Sequence, residues 1–582
     1  MSHIKSFALL LSLLVLITGC EQKNVDWSSY GNNLENQRYS KLNQINQHNV
    51  NNLKLAWQYQ TGIKASFQST PLVHEGIMYV SLPFNHVIAL NAKTGKEIWR
   101  YEHDRNPEWK MCCGPSNRGL AISGEQLFMG TVDARLISLN IKTGEKIWDI
   151  NVVDNLVATE SATSLNDVDP NKGKLVSGGT GVGISMAPVV YQNKVIVGIT
   201  GVGYGLHVEG AEKDAPLGAV VGVTGNFGRP GFLAAYDIYS GKQIWQFDTI
   251  RNEGWEGEMN NYTQDGESLN RDILVEKESI SKYPDAAKFG GGSAWTTPAI
   301  DADTHTLFFG TGNPSPQMSG EQRPGDNLYT VSLVALDANT GKIKWHYQQV
   351  PHDVWGYDVA SPPVLFNTIV DGKIIPAVGQ AGKTGWFYVI DRSSGKLILK
   401  SEAFVPQQNM FAEATKEGTV IYPGILGGSN WSPVSIDIDQ HLAFVSGIHA
   451  PIKYTLHEKI TGANVTRYTS SEPTNDSQWG VLSAIDLSNG KLVWQHQTDQ
   501  PLLGGTLATK GMLLFSGEGN GNLNAFHSLT GELLWTAKIN AGVNAPPITY
   551  MIDGKQYIAV AAGGNKIMGY KQGDYVSVYS LD

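Results

Sequence analysis

Cys112 and Cys113 are adjacent in the chain, and adjacency restricts what two thiols can do. Their Cα atoms lie about 3.8 Å apart across a trans peptide. That is below the usual disulfide span, so a bond between them is strained and reducible; two buried free thiols are the other reading. No Cys-x-x-Cys-His occurs, which excludes a covalently attached c-type haem. Lys383 stands in Ala381-Gly382-Lys383-Thr384, a string like the end of a phosphate loop, but the first glycine such a loop needs falls on Ala377. Neither His-Glu-x-x-His nor a Gly-x-Ser-x-Gly elbow is present, and the glycine clusters near 178–183 and 517–522 are not followed by helical periodicity. Hydrolase and nucleotide chemistry therefore find no support.

The chain of 582 residues carries a formal charge of −10, with no long like-charge run, so a nucleic-acid partner is excluded. Hydrophobic residues at 41% against 17% charged specify a large buried core rather than a disordered chain. At the start, Lys5 precedes an apolar stretch from Phe7 to Ile17, too short to span a bilayer as a helix. It ends in Thr18-Gly19-Cys20, which resembles a bacterial lipoprotein signal with Cys20 as the lipidated residue; a plain cleaved signal is the alternative. Glu21 after the cysteine points to the outer membrane, in a periplasm-facing setting that permits a disulfide. The expected organisation is a leader over 1–19, a lipid-anchored tether over 20–40 and one folded unit over 41–582.

That unit is repetitive. A strand ending in a polar residue, a short turn, a glycine and then a tryptophan four residues later recurs at Gly95…Trp99, Gly144…Trp148, Gly241…Trp245, Gly341…Trp345, Gly490…Trp494 and Gly531…Trp535. Gly395 begins a further copy in which Leu399 replaces the tryptophan, and Leu55-Ala56-Trp57 hints at one more. Each copy reads as a hairpin whose glycine takes positive φ and whose second strand carries an indole. One such sheet cannot bury both faces, whereas radial stacking lets each indole pack on its neighbour. The fold class expected is all-β, an eight-bladed β-propeller with tryptophan-docking repeats; seven blades is the competing count. Tyr575 to Leu581 is expected to pair beside Leu55-Ala56-Trp57 and close the ring. The stretches 150–182, 202–224, 252–290 and 402–425 read as loop insertions.

The repeat, together with Cys112-Cys113-Gly-Pro-Ser-Asn117-Arg118-Gly119, Gly291-Gly292-Ser293-Ala294-Trp295, Gly312-Asn313-Pro314 and Pro351-His352-Asp353-Val354-Trp355, resembles the quinoprotein alcohol dehydrogenases, over about 40 to 580. Outer-membrane assembly lipoproteins carry a similar repeat but not the cysteine-pair block. The resemblance implies pyrroloquinoline quinone (PQQ) and Ca²⁺ or a lanthanide. A planar tricarboxylate of this kind needs two flat walls and cationic or hydrogen-bonding partners. The resemblance places a vicinal Cys112–Cys113 disulfide on one face and Trp295 on the other, Arg118 at a carboxylate and Lys383 at the quinone oxygens. Ser185, Thr200 and Asn430 match polar positions lining the family pocket, and Gln68 takes the place of a family glutamate.

The match has gaps. The family metal site uses a Glu, an Asn and the catalytic Asp; Asn313 keeps the Asn, while Asn226, Glu209 or Glu212 must stand in for the Glu. After Trp355 the family reads Trp-Asp, and this chain has Gly356, which cannot accept a proton. Asp358, two residues on, is where lanthanide-using members carry an additional metal-ligating Asp, so it is assigned here as metal ligand or base; a solvated strand-end carboxylate is the plainer reading. Replacing Gly356 by Asp is expected to raise activity. The function implied is oxidation of an alcohol or sugar-like substrate, with electrons passed to a periplasmic acceptor. The alternative is a catalytically silent propeller serving as a binding or envelope-assembly scaffold.

Overall fold

The computed structural model describes residues 24–105, 115, 117–153, 174–177, 182–200, 206–209, 218–219, 230–251, 253–461 and 464–582. Cys20, Cys112, Cys113, Asn226 and Glu212 lie outside the described residues. The fold is an all-β propeller. Among the described residues, seven sheets have four strands and one has five, each meandering from an innermost to an outermost strand, and two three-stranded sheets lie in the insertions. The first sheet is representative, running Leu72–His74, Ile77–Ser81, Val87–Asn91 and Glu97–Tyr101. Closure is as expected: Lys54–Gln60 pairs antiparallel with Tyr575–Ser580, so the N-terminal strand completes the sheet made by the last three.

The repeat has a direct structural meaning. Within each sheet a register shift precedes the tryptophan position, for example at Ala89/Leu90 opposite Trp99 and at Ala335/Leu336 opposite Trp345. This bulge turns the indole out of its own sheet. Its N–H then donates to a backbone carbonyl of the next one: Trp99 Nε1 to Ile141 O at 3.1 Å, Trp148 to Ile238 O at 3.0 Å, Trp245 to Ala338 O at 3.2 Å and Trp345 to Arg392 O at 2.9 Å. The seam is crossed in the same way, Trp535 to Leu53 O at 3.3 Å and Trp57 to Ala92 O at 3.2 Å. Away from the seam sheet, the ring of each of these indoles lies on the turn glycine of the next sheet: a Cβ on Gly144 would sit 2.5 Å from Trp99 Cε3, and one on Gly341 2.6 Å from Trp245 Cε3. Glycine is required there by the close approach as well as by its φ of about +70°. Where Leu399 replaces the tryptophan, a Cβ on Gly490 would sit 3.1 Å from its Cδ1.

Two expectations need correction. Residues 24–40 are not a tether. Val25 and Trp27 bridge to Met551 and Val73, Tyr39–Ser40 adds a parallel strand beside Thr506–Thr509, and Trp27 and Arg38 are fully buried. The asparagine-rich stretch lacks apolar periodicity, yet its amides serve as donors: Asn36 Nδ2 reaches Thr297 O, Pro298 O and Pro363 O at 3.0–3.2 Å. The insertion 252–290 is also not plain loop, since Asp272 caps a short helix over Ile273–Ser279 by accepting from Val275 N.

Candidate active site

The segments leading into the innermost strands converge on the ring centre, and the expected site residues stand on them: Gln68 before Leu72–His74, Arg118 before Ala121–Ser123, Ser185 before Val189–Tyr191, Trp295 before Ala299–Asp301, Asp358 before Val364–Val370 and Asn430 before Ser435–Asp437. Neighbouring segments are tied by backbone bonds, Thr70 N to Arg118 O and Arg118 N to Ser185 O, both 3.0 Å. These ties fix the origin of each side chain.

Arg118, Ser185, Trp295, Lys383 and Asp358 come together. Arg118 Nη1 donates to Ser185 Oγ at 2.8 Å and to Trp295 O at 3.2 Å. Its guanidinium lies between two indoles, 5.1 Å from the Trp295 ring centre and 5.0 Å from that of Trp431. Trp295 Nε1 donates to Asp358 Oδ2 at 3.0 Å. Lys383 Nζ donates to Gly356 O at 2.8 Å and stands 3.6 Å from Asp358 Oδ1, an ion pair too long to be a hydrogen bond. Burial pushes the Asp358 carboxyl above its ordinary range, against the Lys383 ammonium, the Trp295 N–H and the Asn313 backbone N–H, which hold it down.

Other expected residues are placed differently. Asn430 is committed to its own turn, Nδ2 donating to Leu426 O at 2.8 Å and Oδ1 accepting from Trp431 N at 2.9 Å. Thr200 bridges to Gly183 through its backbone. Gln68 is buried with Oε1 unbonded. Asn313 Oδ1 accepts from Gln317 Nε2 at 3.0 Å, and its Nδ2 donates to Asp353.

Asp353, Trp431 and Gly356 carry more of the site than the sequence suggested. Buried Asp353 accepts from the backbone N–H of Trp355, Gly356 and Tyr357 at 3.1–3.2 Å, a carboxylate seated in a concavity of amides that sets the loop's shape. Its place in the Pro-His-Asp string was visible; its bonds were not. Trp431 lies outside the repeat, as Trp295 does, and that was the available signal. Gly356 has φ +91°, and a Cβ there would meet Ile425 Cγ1 at 2.7 Å and Gln317 Nε2 at 3.2 Å. An aspartate at 356 is therefore strained, and the expected gain from restoring it does not stand.

Among the described residues, three polar atoms here are buried without a hydrogen bond: Gln68 Oε1, Arg118 Nε and Asp358 Oδ1. Burial pulls the Arg118 guanidinium down to about 10, with Tyr30 the one opposing influence and no carboxylate among its causes. An unpaired buried cation costs several kcal/mol. This donor set fits a flat polyanion with carboxylates and carbonyl oxygens. For a hard cation, which takes several oxygen ligands, Asp358 and Asn313 are adjacent, while no group of three His, Cys, Asp or Glu side chains assembles among the described residues.

Fold and site together define a quinoprotein-type propeller. The family model for the PQQ glucose/ethanol/alcohol dehydrogenase β-propeller domain matches residues 27–416 and 402–558. The chain is 32% identical over 563 residues to the quinoprotein alcohol dehydrogenase PedH of Pseudomonas putida, covering 92% of this chain and 85% of that protein. It is 33% identical over 575 residues to the quinohemoprotein alcohol dehydrogenase of Comamonas testosteroni, covering 94% and 73%. The crystal structure of a Comamonas testosteroni quinohemoprotein alcohol dehydrogenase superposes with a TM-score of 0.77 at 29% identity, over 96% of this chain and 80% of that one. A europium-containing methanol dehydrogenase gives 0.76 at 27%, over 96% and 98%. The chain belongs to the PQQ-dependent alcohol dehydrogenase family.

Proposed function

We propose that this chain is a PQQ-dependent dehydrogenase that oxidises an alcohol-type substrate, sugar-like ones included. The observation that carries the reading is Arg118, a buried guanidinium between two indoles with Nε unbonded and no carboxylate paired with it among the described residues. PQQ, when bound, supplies anionic carboxylates and a two-electron acceptor for hydride from the substrate carbon. Arg118 and Ser185 would hold its carboxylates and Trp295 would form one wall, with Gln68, Asn430 and Thr200 as further polar residues proposed for the pocket. A bridge between Cys112 and Cys113 is proposed as the other. Asp358 is the proposed base: Oδ2 is held by Trp295, which leaves Oδ1 to take the hydroxyl proton. Lys383 steadies the resulting charge balance and ties the loop through Gly356 O. Ca²⁺ or a lanthanide would be held by Asp358 and Asn313, with Asn226 as a further ligand, and would polarise the reacting carbonyl.

Several finer points belong to the same proposal. Eight blades is the count that the four-strand meanders and their indole links support. Cys20 is the lipid-bearing residue of a periplasm-facing lipoprotein anchored in the outer membrane, and electrons pass to a separate periplasmic carrier. A silent scaffold that binds no PQQ leaves Arg118 without a counter-ion. The test is reconstitution of purified protein with PQQ and, in turn, Ca²⁺ and a lanthanide, assayed with an artificial acceptor and a panel of alcohols. Alcohol-dependent reduction of the acceptor is the expected result; PQQ uptake without turnover under either metal refutes the enzyme.

A further inference from the structure

The N-terminal segment crosses the propeller and touches sheet after sheet. Its carbonyls accept from one blade after another: Leu34 O from Ile300 N at 2.7 Å, Glu35 O from Leu365 N at 2.9 Å, Gln37 O from Ile436 N at 2.9 Å and Arg38 O from Ala508 N at 3.1 Å. Trp27 exchanges two bonds with Val73 of the first sheet, 3.0 and 2.8 Å. A chain that only linked an anchor to a domain would not be bonded to blades on every side of the ring.

Arg38 is the staple of this crossing. It is 0% exposed and carries no ion pair among the described residues; its guanidinium donates to three carbonyls from separate parts of the chain, Tyr30 O at 2.5 Å, Thr506 O at 2.9 Å and Pro547 O at 2.7 Å. The same guanidinium lies 5.4 Å from the Trp27 ring centre and 5.6 Å from that of Tyr30. Tyr30 is thereby fixed at both its backbone and its ring. The ring packs against the site: its Cδ2 is 3.8 Å from where a Cβ on Gly119 would stand, next to Arg118 in the chain. Its hydroxyl is buried without a partner, and Arg118 and Arg38 are the charges that act on it.

We propose that residues 25–40 form the floor of the cofactor chamber, and that Tyr30, held by Arg38, is a positioning residue that keeps Arg118 in its cofactor-binding pose. This rests on the PQQ reading of the site and goes beyond it, because it assigns part of the cofactor's affinity to a segment that contributes no contact of its own. Among the described residues no carboxylate pairs with Arg118; its pose is set by Ser185, by the two indoles and, through Gly119, by the Tyr30 ring. Removing that ring takes a packing support from Gly119 and leaves the Arg118–Gly119 segment to its backbone bonds with Thr70 and Ser185.

The test is a double-mutant cycle on PQQ affinity, read in metal-supplemented apo-protein by quenching of tryptophan fluorescence, with the apo-protein's unfolding midpoint measured beside it. Tyr30→Ala is expected to weaken PQQ binding about tenfold in the wild-type background and less than about twofold once Arg118→Gln is present, the mark of two groups acting as one. Tyr30→Phe is expected to bind as the wild type does, since the hydroxyl makes no bond; it also serves if the alanine variant folds poorly. Equal losses from Tyr30→Ala in both backgrounds, or a Tyr30→Phe loss as large as that of alanine, overturn the inference while leaving the cofactor reading intact. Wild-type protein that takes up no PQQ overturns both.

Discussion

Replacing Gly356 by alanine isolates the backbone geometry of the loop that carries Asp358. At φ +91° an L-residue is disfavoured by about 1–2 kcal/mol. The added Cβ comes within 2.7 Å of Ile425 Cγ1, and forcing a methyl into packed surroundings adds about 1–3 kcal/mol. The stiffer unfolded chain returns about 0.4–1 kcal/mol. The net expectation is a loss of about 2–4 kcal/mol, measured as a lowered urea midpoint in apo-protein with the slope unchanged. In an Ile425→Ala background the packing part disappears, and the further cost of Gly356→Ala should fall to about 1 kcal/mol. Gly356→Asp carries the same strain plus a second carboxylate beside Asp353, so it should lower activity. A Gly356→Ala protein with a wild-type midpoint, or a Gly356→Asp protein more active than the parent, would falsify this account of the loop.

Asp358→Asn keeps the shape of the side chain but removes the proton acceptor, so kcat should fall by about 10²–10⁴ while PQQ is still taken up; turnover within a few-fold of wild type removes Asp358 from the chemistry. His352 is buried and pulled down to about 3, burial first and the Arg323 charge next, with Glu276 opposing and Arg271 adding to the fall. A depressed histidine binds fewer protons folded than unfolded, so stability should decline as pH drops from about 6.5 toward 3. His352→Gln should flatten that decline in urea midpoints taken at pH 7, 5 and 4. Trp245→Ala should cost about 3–5 kcal/mol by emptying the space over Gly341, and Trp245→Leu distinctly less, as Leu399 over Gly490 shows is workable; equal midpoints for the two would discount indole docking.

The propeller was legible because its defining contact has a local signature. A glycine and a tryptophan four residues apart belong to one sheet, and six sheets repeat them, so the interface between sheets is written once per copy. Arg118, Trp295, Lys383 and Asp358 were legible from motif strings and do meet. Asp353, Trp431 and Tyr30 were hidden because their partners are set by packing rather than spacing, as with Trp431 against Arg118. The segment 24–40 misled for a related reason: amides that bond to carbonyls hundreds of residues away leave no period in the sequence. Asn430 shows the converse, a motif residue whose amide turns back on its own loop.

The ring's last joint differs in kind from the others. In every other sheet the four meandering strands follow one another along the chain, some with an insertion between them, but the sheet that unites Lys54–Gln60 with Tyr575–Ser580 joins the two far ends of the fold and is held across that pair by non-covalent bonds alone. The ring therefore cannot close until Tyr575–Ser580 has left the ribosome, and until then the blades form an open crescent with two unpaired edges. Shortening the chain by even its last strand would leave that crescent permanently ajar.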